Sequence, residues 1–196
     1  MVLVLASSFA ACADRESSVR LFRTESYTFS ARERRLIEDI AQSTFAELRS
    51  VLADVPANIQ LTVRPGAGVI EETGETGSAM TPDGIMWTID PQRLGGVEAV
   101  ARKWLRASLF HEVHHLVRAA SQPANTLIER ALQEGMATVF ERDFAGADAP
   151  WGKYPENVGQ WADELTQLPP DASIQQWLYT HPDGRRWIGI KVGSSC

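Results

Sequence analysis

Three of the chain's four histidines fall within five consecutive positions, His111-Glu112-Val113-His114-His115. His111 and His115 are four apart, so on a helix their rings leave one face a single turn apart. Cβ atoms about 5–6 Å apart let two ring nitrogens converge on one cation at about 2.0–2.1 Å. Glu112 stands beside the first of the pair, too close in sequence to join it as an ordinary third ligand. It leans towards the open side of such an ion, where a carboxylate can take a proton from bound water. His114 points about 100° away from His115, which gives it a packing or supporting role. The plain alternative is a polar patch on an amphipathic helix. Against it stands Ala107-Ser108-Leu109-Phe110, a small and apolar run that keeps the histidines from full exposure.

An open zinc site takes three protein ligands and a water. Cys12 and Cys196 are the only cysteines and lie at opposite ends, so no disulfide framework or cysteine-ligated site is available and a third ligand must be His or a carboxylate. The motif falls in the last turns of a helix expected over about 97–120, which Pro123 stops. Thr126-Leu127-Ile128-Glu129 then forms a capping box and opens a second helix through about Ala145, with Gly146 as its stop. The short connection forces the two helices to pack together. Of the acidic residues on the second, Glu129 is used by the cap, and Glu141 and Asp143 sit near the far end, facing solvent. Glu134 is mid-helix, followed by Gly135 and Ala137, small residues that let two helices approach closely. Glu134 is therefore the expected third ligand.

The rest of the chain has to position these two helices. Ser30-Ala31-Arg32-Glu33 is a capping box, and Leu36, Ile37, Ile40, Thr44, Leu48, Val51 and Leu52 mark the buried face of the helix it opens. Strands are expected over 58–64 and 84–90, with a weak strand near 69–71 and a mobile loop in the Gly-, Thr- and Glu-rich stretch around it. Further helices are expected over 155–168 and 171–179, before a Pro182-Asp183-Gly184 turn. A few strands followed by packed helices is an α+β pattern, a small antiparallel or mixed sheet against the motif helix and a mostly helical C-terminal part. At 196 residues and 44% hydrophobic, residues 30–196 suit a single domain. A net charge of −6 argues against nucleic acid as a partner.

The N-terminus reads separately. MVLVLASSFAACA, residues 1–13, is apolar and ends in small residues around Cys12. It fits an export signal, cut before Cys12 as a lipoprotein signal or after Ala13, and residues 14–29 then read as a linker. That places the protein outside the cytoplasm, with membrane attachment through a lipidated Cys12. The alternative is a buried N-terminal strand in a cytoplasmic protein.

SLFHEVHHLVR together with LIERALQEGMATVF resembles the bacterial family of predicted Zn-dependent proteases, closely over 108–140 and loosely over 84–193. Its arrangement, HExxH and then a Glu one helix later, is that of the gluzincin metallopeptidases. The resemblance implies a zincin-like fold, zinc held by His111, His115 and Glu134, and Glu112 as general base in hydrolysing a peptide or protein substrate. Two positions depart from the pattern. Thr138 stands where an acidic residue usually orients a ligand histidine, leaving a backbone carbonyl or Glu141 for that task. Ile190 stands where a closing tyrosine is expected, leaving Tyr154, Tyr179 or His181 as substitutes. These departures keep a noncatalytic zinc-binding protein with a degenerate peptidase fold in view, and a metal-free helical scaffold behind it. Arg118 is expected to pair with Glu129 or to meet a substrate carboxylate. The strand over 84–90 is expected to be the edge to which an extended peptide adds.

Overall fold

The computed structural model describes residues 17–196. The signal expected over 1–13, with Cys12, lies outside the described residues. Within them the chain forms a mixed four-stranded sheet: β1 (Ser18–Leu21), β2 (Gln60–Pro65), β3 (Glu75–Thr81) and β4 (Gly84–Ile89), in the order β1-β2-β4-β3. β1, β2 and β4 run parallel, and β3 returns antiparallel to β4. Parallel neighbours need a crossover, and α1 (Ala31–Val51) supplies the one between β1 and β2. Ser30 and Glu33 close the expected capping box, and α1 buries Ile37, Ala41, Phe45 and Leu48. Those side chains join the inward residues of β2 (Leu61, Val63) and β4 (Ile85, Trp87, Ile89) in one core.

Three expectations for this half of the chain need correction. β4 is not an edge strand, because β2 and β3 flank it; the free edge on that side is β3. β3 itself falls in the stretch expected to be a mobile loop, while at the weak strand expected over 69–71 only Ile70 makes an isolated bridge, to Glu75. ETGSAMT lacks the alternation of apolar residues that marks a half-buried strand, and its strand state comes from pairing with β4 and packing under a helix. Finally, β1 falls inside the stretch expected to be a linker, where it pairs with β2.

The helical half begins with α2 (Gly96–Val100), which runs through a π-helical turn at Ala101–Leu105 into α3 (Arg106–Ser121). α4 (Leu127–Phe140) starts at Thr126 with both halves of its capping box formed, and passes into a second π-helical turn at Glu141–Ala145. α5 (Val158–Thr166) matches the third expected helix within a few residues. The fourth contracts to a π-helical turn at Gln175–Tyr179, and after the 182–184 turn the chain ends in α6 (Ile188–Ser195). No helix of the described residues is long and apolar enough to cross a membrane.

α6 lies on α4 along a seam of glycines. A Cβ built on Gly135 would stand 2.0 Å from the backbone carbon of Gly193, and one on Gly193 would stand 1.9 Å from the Ala131 oxygen. Hydrogen at both positions is what lets the backbones touch. Gly135 follows Glu134 directly, so the seam fixes the face of α4 that Glu134 leaves. Gly135→Ala should therefore lower folding stability by at least about 2 kcal/mol, read by urea denaturation; an unchanged midpoint would mean that α6 does not rest on this seam.

Candidate metal centre

α3 and α4 pack side by side and bring the three expected ligands together. His111 Nε2 is 3.1 Å from His115 Nε2 and 3.3 Å from Glu134 Oε2, and the third side, His115 Nε2 to Glu134 Oε2, is 3.5 Å. A tetrahedral ion with ligand bonds of about 2.0–2.1 Å has ligand–ligand edges of about 3.3–3.4 Å. The triangle has that size.

Its polarity tells the same story. His111 Nδ1 stands 3.1 Å from the Glu141 carboxylate, an acceptor, so that nitrogen carries the proton of the neutral ring and Nε2 presents a lone pair. Glu134 is also an acceptor. Two acceptors that face one another at this distance need a cation or a proton between them, and a neutral imidazole such as His115 has one N–H to give. Proton capture has a visible driving force: burial alone would lower the His111 pKa, but hydrogen bonds to Glu134 and Glu141 and the charge of Glu112 raise it well above the usual value. Glu134 moves the other way. Burial opposes its ionisation, yet His111 and His115 hold it far below the usual carboxylate range.

Glu141 answers the question posed by Thr138. It is not solvent-facing, as the end of a helix suggested, but 2% exposed, accepting from the Trp151 indole as well as facing His111. Thr138 is buried beside Gly152, with its hydroxyl unpartnered. A carboxylate seven residues after Glu134 lies two turns on and only about 20° round the helix, which puts it under the other ring nitrogen.

Glu112 is buried at 7% exposure against β3, where the Ala79 N–H donates to its carboxylate. A Cβ on Gly77 would come within 2.6 Å of Glu112 Oε1, so Gly77 is the notch in the strand that admits this side chain. Burial raises the Glu112 pKa and the Glu134 charge adds to that, while His111 and His115 pull it down. Neither Gly77 nor the buried Glu75 stood out in the sequence. Glu75 accepts from the Trp87 indole and the Ser108 hydroxyl, each at 2.7 Å, and so ties β3 and β4 to α3 three residues before His111. Carboxylates flanked by Thr and Gly in a strand without apolar alternation carry no such signal.

The other candidates divide. His114 is buried against Phe140, with ring centroids 5.5 Å apart, and burial followed by the neighbouring His115, His111 and Arg118 lowers its pKa to about 4. It is a packing residue. Arg118 does not pair with Glu129, whose carboxylate accepts the Asn125 and Thr126 N–H groups of the cap; it bonds Gln122 at 2.7 Å instead. Above the triangle opens a cleft of about 880 Å³, walled by β3, α3, α4 and the C-terminal segment. Tyr179 lines it, whereas Tyr154, His181 and Arg118 do not.

A family model described as "Predicted Zn-dependent protease (DUF2268)" matches residues 37–193. No curated protein and no solved structure matches the chain. Glu141→Gln, which keeps the shape but removes the charge behind His111, should weaken zinc binding by at least about tenfold, measured by competition against a chromophoric chelator. Affinity equal to that of the unaltered chain would show that Glu141 does not orient His111.

Proposed function

The chain belongs to the predicted Zn-dependent protease family, whose model covers residues 37–193, and on that premise we propose that it hydrolyses peptide bonds by a gluzincin-like mechanism. In this reading zinc is held by His111, His115 and Glu134, and Glu112 is the general base. The supporting observation is the convergence of two imidazole nitrogens and a carboxylate oxygen at tetrahedral spacing beside a buried carboxylate, in one cleft. A zinc ion held there supplies Lewis-acid polarisation of a carbonyl and lowers the pKa of a water towards about 7.

The chain's own residues do the rest. Glu112, fixed by the Ala79 N–H and raised in proton affinity by burial, accepts the proton of the attacking water and returns it to the leaving amine. Glu141 holds His111 in one tautomer. Tyr179 stands in for the tyrosine that Ile190 replaces. Burial, with the charges of Glu134 and Glu112, pushes its phenol up to about 12, so it stays a hydrogen-bond donor across the neutral range, as an oxyanion partner must. The exposed backbone of β3, which borders the cleft and is the outer strand, takes the place first expected for β4 and aligns an extended substrate by main-chain bonds. At the two departures that favoured a noncatalytic zinc protein, the positions of Glu141 and Tyr179 support the catalytic reading.

Glu112→Gln should retain zinc, read by elemental analysis, and lose at least about 10²-fold in cleavage of an unstructured protein substrate; full cleavage by this variant sinks the assignment. Tyr179→Phe should lower kcat by about 10²-fold with little change in KM, and an unchanged kcat removes Tyr179 from the chemistry.

A further inference from the structure

Arg130 lies on α4 one turn before Glu134 and lines the same cleft. Its charge acts on the Tyr179 phenol in opposition to Glu134 and Glu112, so these four groups share one part of the cleft. Two arginines line the cleft. Arg186 is committed to an ion pair with Glu72, whereas the Arg130 guanidinium has no ion pair or hydrogen-bonded partner among the described residues. The acidic groups of the cleft are the carboxylates of Glu112, Glu134 and Glu141, beside His111, His115 and Tyr179, and the carboxylates repel an anionic substrate. An unpaired guanidinium beside them attracts a carboxylate away from the metal centre, and its planar fork takes both oxygens.

Position narrows the choice further. Four residues of helix separate Arg130 from Glu134 by about 6 Å along the axis. An extended peptide advances about 3.3 Å per residue, so a chain lying over the metal centre brings a group one or two residues from the cleaved bond to Arg130. We propose that Arg130 selects substrates carrying a carboxylate one or two residues from the scissile bond, whether an acidic side chain or a free C-terminus. This rests on the peptidase reading above.

Binding separates the two ideas, because it does not need turnover. The full-length Glu112→Gln protein, supplied with zinc, is titrated into rhodamine-labelled hexapeptides and followed by fluorescence anisotropy. One peptide is neutral and C-terminally amidated, a second carries Glu beside its central bond, and a third is the neutral peptide with a free C-terminus. The expected result is at least about tenfold tighter binding of the second or third than of the first, a ratio that collapses towards one when Arg130→Gln is added and is partly kept by Arg130→Lys. Which peptide gains identifies the source of the carboxylate. Equal affinities, no binding of any peptide, or a preference that survives Arg130→Gln would overturn the inference. If the unaltered chain cleaves none of these peptides while the Arg130-dependent preference remains, the peptidase reading falls and the carboxylate site stands.

Discussion

Two imidazole nitrogens and a carboxylate oxygen stand within 3.5 Å of one another, a spacing that takes a cation or a proton among them, and much of the fold serves to keep them there. His111 and His115 need only a helix, since four-residue spacing sets their separation. Glu134 needs a second helix held at one height and rotation, which is a tertiary requirement. Its rotation is set by the glycine seam with α6, and its start is pinned by the Thr126–Glu129 cap. α3 is held in turn by Glu75, through Ser108 on the helix and Trp87 on the sheet. The anchors differ in chemistry and share one effect: each keeps the three side chains at this spacing.

The same region concentrates negative charge beyond what the triangle alone holds. Glu75, Glu112 and Glu141 are buried, and the Glu134 side chain is 20% exposed. No Lys or Arg forms an ion pair with any of them among the described residues; the ionisable partners are His111 and His115. Burying several carboxylates without a counter-charge is costly enough that some must bind protons, and the raised affinities of Glu75, Glu112 and His111 follow from it. A divalent cation at the triangle would offset that charge directly and would then contribute to folding. On this argument the buried carboxylates and the His111–His115–Glu134 triangle form one electrostatic unit.

How far the sequence revealed this depends on the range over which each signal acts. The capping boxes at Ser30 and Thr126, the spacing of His111 and His115, and the alternation in β2 and β4 are local, and they mark the right elements to within a few residues. Glu134 was legible because the cap excused Glu129 and small neighbours flagged a close approach. β3 was not, because its strand state depends on β4 and α3 rather than on its own residues, and the error over which strand forms the edge follows from that omission. Glu141 was misplaced for a related reason. Position near a helix end suggests solvent, but here Trp151, from a separate turn, covers it.

The π-helical turns carry the last step. Segments at Ala101–Leu105, Glu141–Ala145 and Gln175–Tyr179 each take one more residue per turn than the 3.6-residue pattern allows, so periodicity in the sequence does not show them. Each adjoins the centre: the first leads into the motif helix, the second begins at Glu141, and the third ends at Tyr179. A π turn widens the helix and strains its hydrogen bonds, and it persists where surrounding contacts over-determine it. At Glu141 those contacts are His111 and Trp151. With Thr138 turned towards Gly152, the carboxylate that faces His111 comes from further along, at the residue where the helix changes its pitch.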